Sequence, residues 1–222
     1  MKTISKTSSK TVFASIIPAA GKGARLRKCK AGLPFGTSGK TLLSHIISVY
    51  LSSKVSNIFI ITGYWESETV AAAQNFSSAV TFVHNDNPGK GMFSSVCKGV
   101  SQLDTDIKYF FVHPVDIPLV NGETIVKMKN AMLNSKSNET WLAPRYKNEE
   151  GHPVLMSSLL IPELLSWSGE RGLEGFLSSR KDNKKIEHVE DEGTIFDIDC
   201  QEDFLYFERE LFTLQYKKNR RN

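Results

Sequence analysis

The chain has 222 residues, 28 Lys and Arg against 24 Asp and Glu, and 40% hydrophobic residues, enough for one globular domain with a sizeable core. A formal charge of +4 does not call for a nucleic-acid partner, and three cysteines without metal-ligand spacing argue against a disulfide framework or a zinc site. No apolar run approaches the ~20 residues that span a bilayer, so the reading is a cytoplasmic protein with no membrane and no nucleic-acid partner.

Residues 1–10 are rich in Ser, Thr and Lys and read as a disordered extension. Lys2, Lys6 and Lys10 ahead of a short apolar run imitate a signal peptide, but that run contains Pro18 and flows into a motif with its own explanation. Residues 11–214 read as a single domain, followed by a basic tail at 215–222. A strand is expected over 11–18, a long loop over 20–39, then a helix at 41–52, a strand at 57–62, a helix at 66–76 and a strand at 79–84. The alternation continues with a helix at 91–103, a strand at 109–112 and a helix at 121–133. Beyond residue 140 short strands at 140–143, 154–156, 185–189 and 194–198 mix with helices at 159–166, 172–180 and 201–212. Strands separated by helices imply an α/β fold: a three-layer, mostly parallel twisted sheet with helices on both faces, Rossmann-like in its winding. Ligands then bind beyond the carboxyl ends of the strands.

Ala19-Ala20-Gly21-Lys22-Gly23-Ala24-Arg25 follows the first strand directly. Small residues let backbone N–H groups approach phosphate oxygens, while Lys22 and Arg25 add positive charge; an ordinary flexible turn is the alternative. A dinucleotide fingerprint would need Gly or Ala where Leu26 stands, and a P-loop ending at Gly39-Lys40-Thr41 would need Gly where Pro34 stands. Asp116 follows the 109–112 strand, where a carboxylate would hold Mg²⁺ against a triphosphate; capping the turn before Pro118 is the competing role. Asp197 and Asp199 share a face by alternation and offer a second carboxylate, although either could cap the helix that follows.

Taken in order, these segments resemble the MobA-like nucleotidyltransferases, and within them the MocA branch, the molybdenum cofactor cytidylyltransferases. Residues 19–25 are similar to the family's AAGxSxRMG signature, with Leu26 for Met and Arg27 for the last Gly, and 30–36 to its K-x-L-L-P-x-G stretch. Asn85 to Gly99 resembles a segment near the nucleotide base, Asp116-Ile117-Pro118-Leu119-Val120 resembles D-x-P-L-V, and Gly151-His152-Pro153-Val154-Leu155 matches G-H-P-V-L. Glu170-Arg171-Gly172 resembles its G-D-x-G partner, and 197–204 resembles D-I-D-T-P-E-D-L.

The resemblance implies catalytic roles for Arg25, Lys30 and Asp116, and Mg²⁺ on Asp116 and Asp199. It implies nucleotide contacts from Ala19, Ala20, Gly21, Lys22, Gly23, Arg25, Lys30, Asn85, Gly91, Ser94 and Ser95, whereas the Met92 and Phe93 side chains themselves read as core. Gly151, His152, Pro153, Arg171 and Gly172 would frame the acceptor, and the acceptor-side elements would lie mainly in 140–200. The implied reaction moves CMP from CTP, with GTP the second choice, onto a molybdopterin-type phosphorylated acceptor and releases pyrophosphate. A sugar-phosphate or alcohol-phosphate nucleotidylyltransferase is the alternative, since Ile17-Pro18-Ala19-Ala20-Gly21 also resembles the start of sugar nucleotidyltransferases. A non-catalytic nucleotide-binding regulator is the alternative of another class.

Overall fold

The computed structural model describes residues 13–37 and 39–209; the N-terminal extension and the basic tail lie outside the described residues. Strand β1 (Phe13–Pro18) is buried along its whole length. Its run of β-branched and small apolar residues suits a strand covered on both faces. It lies at the centre of an eight-stranded sheet. On one side it pairs in parallel with β4 (Asn57–Thr62), which pairs in parallel with β5 (Thr81–His84). On the other side it pairs in parallel with β6 (Tyr109–Val112). Beyond β6 the sheet turns antiparallel through β9 (Val154–Ser157) to β7 (Trp141–Tyr146). That strand also carries the short β8 (Glu149–Glu150) and, in parallel, β10 (Lys184–His188).

Helices cover both faces. One core gathers Ile46, Ile47 and Tyr50 of α1 (Leu42–Ser52), Ala72 of α2 (Glu66–Ala72) and Met128 of α4 (Gly122–Leu133) against Ile17, Ile60 and Phe111. The other gathers Val96 of α3 (Met92–Val100), Leu164 of α5 (Ile161–Leu165) and Phe176 of α6 (Gly172–Ser178) against Ile16, Ile61 and Phe110. Alternate residues of one strand therefore serve opposite cores, as period-two geometry requires. A last helix, α7, runs from Gln201 to the end of the described residues and buries Phe204 and Phe207 beside Leu26 and Leu42.

Three local expectations are corrected. The 20–39 loop carries a 3-10 turn at Lys30–Gly32 and the first strand of a small hairpin, β2 (Pro34–Phe35) with β3 (Lys40–Thr41). The helix expected over 66–76 breaks after Ala72 and resumes as a 3-10 turn at Gln74–Phe76. The strand expected at 194–198 does not form. Instead Glu192–Thr194 is a 3-10 turn, set by the Asp191 carboxylate accepting from Gly193 N, and the following residues cross the sheet end without a ladder. Thr194 and Ile198 are fully buried, which is why their pattern imitated a strand. Among the described residues no helix is long and apolar enough to cross a membrane.

Candidate active site

The carboxyl ends of β1, β4 and β6 open on one side of the sheet. The chain leaves β1 held to both neighbours: Ala19 N donates to Ile61 O at 2.9 Å and Val115 N donates to Pro18 O at 3.3 Å. The glycine-rich turn then folds back on itself, with Arg27 N donating to Gly23 O at 2.6 Å. Gly23 has φ +58°, and a Cβ there would sit 2.3 Å from Lys28 O, so no side chain fits. Gly21 is different: a Cβ there would meet nothing within 4 Å. Arg27 occupies a left-handed conformation, φ 52°, at the position where the family signature has Gly.

The charged centre is built on Lys30. Its Nζ donates to Asp116 Oδ2 and to Asp199 Oδ1, each at 2.8 Å, and Arg25 Nη2 lies 2.8 Å from the second oxygen of Asp199. Burial alone would lower the Lys30 ammonium, but the charge and hydrogen bond of Asp116, joined by those of Asp199, outweigh it and raise its pKa above the ordinary value. The hydrogen bond from Lys30, with the charges of Lys30 and Arg25, holds the Asp199 carboxyl below the usual carboxylate range against the effect of burial. Asp197 goes the other way: burial, then the charges of Asp199 and Asp116, raise it. Asp199 is therefore the carboxylate of this pair that faces the cations. At the start of α7, Asp203 Oδ2 accepts from Asp199 N at 2.9 Å and Cys200 N at 2.8 Å.

The loop carrying Asp116 is fixed from below. His113 is buried, its Nδ1 lies 2.9 Å from Tyr50 Oη and its Nε2 lies 2.7 Å from Ile117 O. A carbonyl only accepts, so Nε2 carries the proton and Nδ1 accepts from the tyrosine hydroxyl. Burial pushes the His113 imidazole down to about 4 against the opposing hydrogen bond to Ile117, keeping it neutral.

Arg25, Lys30, Asp116 and Asp199 line a cleft of about 310 Å³ together with Ala19, Ala20, Gly21, Gly23, Gly91 and Ser95. Lys22, Asn85 and Ser94 lie outside that lining. Lys22 Nζ sits 4.7 Å from the centre of the Tyr64 ring. Asn85 is buried and its Nδ2 donates to Ser94 Oγ and Ser95 Oγ at 2.9 and 3.0 Å, so it braces Ser95 at the cleft wall. Ser94 Oγ turns back to Gly91 O at 2.8 Å.

The core placement expected for Met92 is corrected. Its side chain is 44% exposed and lines this cleft and a second one, because it starts α3 where the helix leaves the sheet. Phe93 is partly buried against the core as expected. Trp65, Pro88 and Val115 also line the first cleft and were not singled out in the sequence. The available signal for Trp65 was its place just past β4.

The second cleft, about 620 Å³, is lined by Gly151 and His152 with Trp141, Leu173, Lys181 and Lys184 among others, whereas Pro153, Arg171 and Gly172 stay outside its lining. Arg171 is exposed and pairs with Glu174, and Gly172, at φ +53°, packs on Phe93. Gly151 sits against Thr194, where a Cβ would fall 2.2 Å from the carbonyl oxygen, and His152 N donates to that same oxygen at 2.7 Å. The His152–Pro153 peptide is cis. Burial depresses the His152 imidazole, opposed by the charges of Asp116 and Asp197.

Chemically, the first cleft joins a side-chain-poor turn, two cations and two carboxylates. Two converging carboxylates are an all-oxygen donor set of the kind that could hold Mg²⁺ or Mn²⁺, ions that fill their other positions with phosphate oxygens and water. Among the described residues no group of three or more His, Cys, Asp or Glu could hold a metal ion by itself.

Comparison with known proteins agrees with this architecture. The chain is 28% identical over 147 residues to the bifunctional protein GlmU of Prochlorococcus marinus, a match covering 66% of this chain and 32% of the relative. It thus spans about a third of that relative's length. Among solved structures it superposes on Rv0371c of Mycobacterium tuberculosis H37Rv with a TM-score of 0.76 at 19% identity, covering 90% of this chain and 100% of the other. The same mycobacterial protein has also been solved in complex with manganese. A 4-diphosphocytidyl-2C-methyl-D-erythritol synthase from Anaerococcus prevotii superposes with a TM-score of 0.71 at 14% identity, covering 91% and 96%. These structural likenesses establish the fold. The sequence pattern of the MobA-like NTP transferase domain matches residues 15–186, from the first strand into β10, and the chain therefore belongs to that family and to the nucleotidyltransferase class of enzymes.

Proposed function

We propose that this protein transfers a nucleoside monophosphate from a nucleoside triphosphate to a phosphorylated small molecule and releases pyrophosphate. The observation that carries the reading is Lys30 held at 2.8 Å from both Asp116 and Asp199, with Arg25 alongside, in one cleft with Gly21 and Gly23. In this reading the backbone N–H groups of the turn receive the triphosphate, and Lys30 and Arg25 exchange carboxylate for phosphate oxygens as the nucleotide enters. Their charge then stabilises the departing pyrophosphate. Asp116 and Asp199 would hold a divalent ion, Mg²⁺ by preference, which would neutralise and align the triphosphate. The acceptor's phosphate is itself the nucleophile, so the chain's contribution is positioning and charge, with no protein nucleophile.

CTP is the favoured donor and GTP the second. Ala19-Ala20-Gly21 supports this order, as does the cytidyl group in the name of the Anaerococcus relative. In this reading the acceptor would occupy the second cleft beside Gly151 and His152, with Pro153, Arg171 and Gly172 shaping the surrounding backbone, and a molybdopterin-type compound is the favoured candidate. We place the whole reaction in a single cytoplasmic domain over 11–214. A sugar-phosphate acceptor is the second reading, favoured by Ile17-Pro18-Ala19-Ala20-Gly21. A non-catalytic nucleotide-binding role fits less well, because both carboxylates and both cations are retained and in contact.

Pyrophosphate release measured across CTP, GTP, ATP and UTP, each with molybdopterin or a sugar 1-phosphate and Mg²⁺, tests the reading. Release with CTP and molybdopterin is expected; release with a sugar 1-phosphate alone moves the acceptor to the second reading. Tight nucleotide binding with no release under any pairing would leave only the non-catalytic role.

A further inference from the structure

The residues lining the first cleft differ in chemistry. Arg25, Lys30, Asp116 and Asp199 carry charge, whereas Trp65, Pro88 and Met92 are large and apolar. A nucleoside triphosphate has the same duality, a polyanion joined to a flat aromatic ring, and the charged residues answer only the first half. Trp65 is the one aromatic ring among the described residues that line this cleft. We infer that Trp65 is the stacking surface for the nucleobase, and that it makes the cleft favour nucleoside triphosphates over inorganic polyphosphate. The inference rests on the nucleotide reading given above.

Trp65 is half-buried and its orientation is fixed. Its Nε1–H donates to Lys22 O at 2.9 Å, which uses the ring's single donor and leaves the π-surface as what it can offer a ligand. The segment before it is pinned to the same turn. A Cβ on Gly63 would lie 2.7 Å from the Ala20 Cβ, so only glycine allows this approach, and Tyr64 N donates to Ala20 O at 3.3 Å. Tyr64 in turn takes Lys22 Nζ over its ring and reaches Gly89, next to Pro88. The 63–65 segment thus ties the phosphate-binding turn to the 88–91 turn in which the apolar lining begins. A stack is tolerant of base identity because every base has a π-face. Trp65 therefore supplies nucleoside affinity, and the choice between cytosine and guanine falls to polar edges such as Ser95, held in place by Asn85.

The test measures binding of CTP, GTP and inorganic tripolyphosphate to the full-length wild type, W65F and W65L by titration calorimetry with Mg²⁺. Phenylalanine keeps a π-face and leucine keeps apolar volume without one, so both variants are expected to fold. W65L should bind CTP and GTP about ten-fold or more weakly, in line with aromatic–base stacking, and tripolyphosphate within about two-fold of wild type, while W65F recovers most of the loss. Equal weakening of tripolyphosphate and CTP in W65L would show that Trp65 acts through the Lys22 carbonyl on the phosphate turn, and the stacking assignment would fall. Unchanged CTP binding in W65L would overturn it as well. Wild type that binds none of the three ligands would instead remove the nucleotide reading on which the inference stands.

Discussion

Ile198 donates its backbone N–H to the carbonyl oxygen of Asp116 at 2.9 Å, which joins the segment after β10 directly to the loop after β6. Two carboxylates 83 positions apart in sequence, Asp116 and Asp199, are thereby held on neighbouring backbone and share one ammonium, that of Lys30. The 194–199 segment makes these bonds in place of strand pairing: Ile198 N goes to Asp116 O, Thr194 O accepts from His152 N, Ile195 N turns back to Glu192 O, and Asp199 N goes to the Asp203 carboxylate.

Lys30 neutralises both carboxylates, so its removal affects metal binding and turnover in opposite directions. Lys30→Met should lower kcat by about 10²–10³, the usual cost of losing one charge-stabilising group at a reacting centre. The same variant leaves Asp116 and Asp199 without their ammonium and should bind Mn²⁺ more tightly in the nucleotide-free protein. Steady-state kinetics read the first effect and Mn²⁺ electron paramagnetic resonance the second. Weaker Mn²⁺ binding in the variant would mean that these carboxylates are not the ion's ligands.

Gly21 and Gly23 separate ligand binding from folding. Gly21→Ala adds a methyl into open space beside the cleft, so the melting temperature should stay within a few degrees while nucleotide KM rises. Gly23→Ala forces a Cβ into Lys28 O at a positive φ and should destabilise the protein by about 1–3 kcal/mol. Thermal melts of both variants, set beside their KM values, check the contrast.

Arg27 holds a left-handed backbone that a branched or long side chain adopts at a cost of roughly 1–2 kcal/mol. Arg27→Gly should therefore stabilise the fold by about 1 kcal/mol, read as a higher urea midpoint at unchanged slope. The departure from the family signature at this position is tolerated, and the family's preference for glycine has a backbone cause.

His113 gives the fold an acid limit. Its folded pKa is pushed down to about 4 by burial, whereas the unfolded side chain titrates near ~6.5. Between those values the unfolded chain binds the extra proton, so stability is full above about pH 6.5 and declines as pH falls toward 4, by roughly 3 kcal/mol in all. His45, also lowered to about 4 by burial and by the Lys40 charge, acts in the same direction. Denaturation midpoints from pH 7.5 to 4.5 should fall for the wild type and fall less steeply for His113→Gln.

Much of this was legible in the sequence because it is written in local pattern. The β1 strand, its glycine-rich turn and the 109–112 strand before Asp116 follow from apolar runs bounded by Gly and Pro, and strand ends mark where ligands bind. Asp116 follows from its place after that strand, Lys30 and the choice of Asp199 over Asp197 follow from resemblance, and the three side chains meet in space. What the sequence did not reveal depends on tertiary contact. The buried 194–198 run looks like a strand since burial and pairing leave the same apolar trace, Met92 looks like core since helical spacing does not say where a helix leaves the sheet, and Trp65 has only its place just past β4 to mark it for the cleft. The bonds from the Asn85 amide nitrogen to Ser94 and Ser95 likewise join residues that the sequence shows only as separate candidates.

The central claim is that the bond broken lies between the α- and β-phosphates. Incubating the full-length protein and Mg²⁺ with CTP labelled at the α- or at the γ-phosphate, in the presence of molybdopterin, follows each phosphorus to its product. The account predicts α-label in the acceptor and γ-label in pyrophosphate, with both transfers lost in Asp116→Ala. Label from the γ-phosphate appearing in the acceptor or in orthophosphate would contradict it.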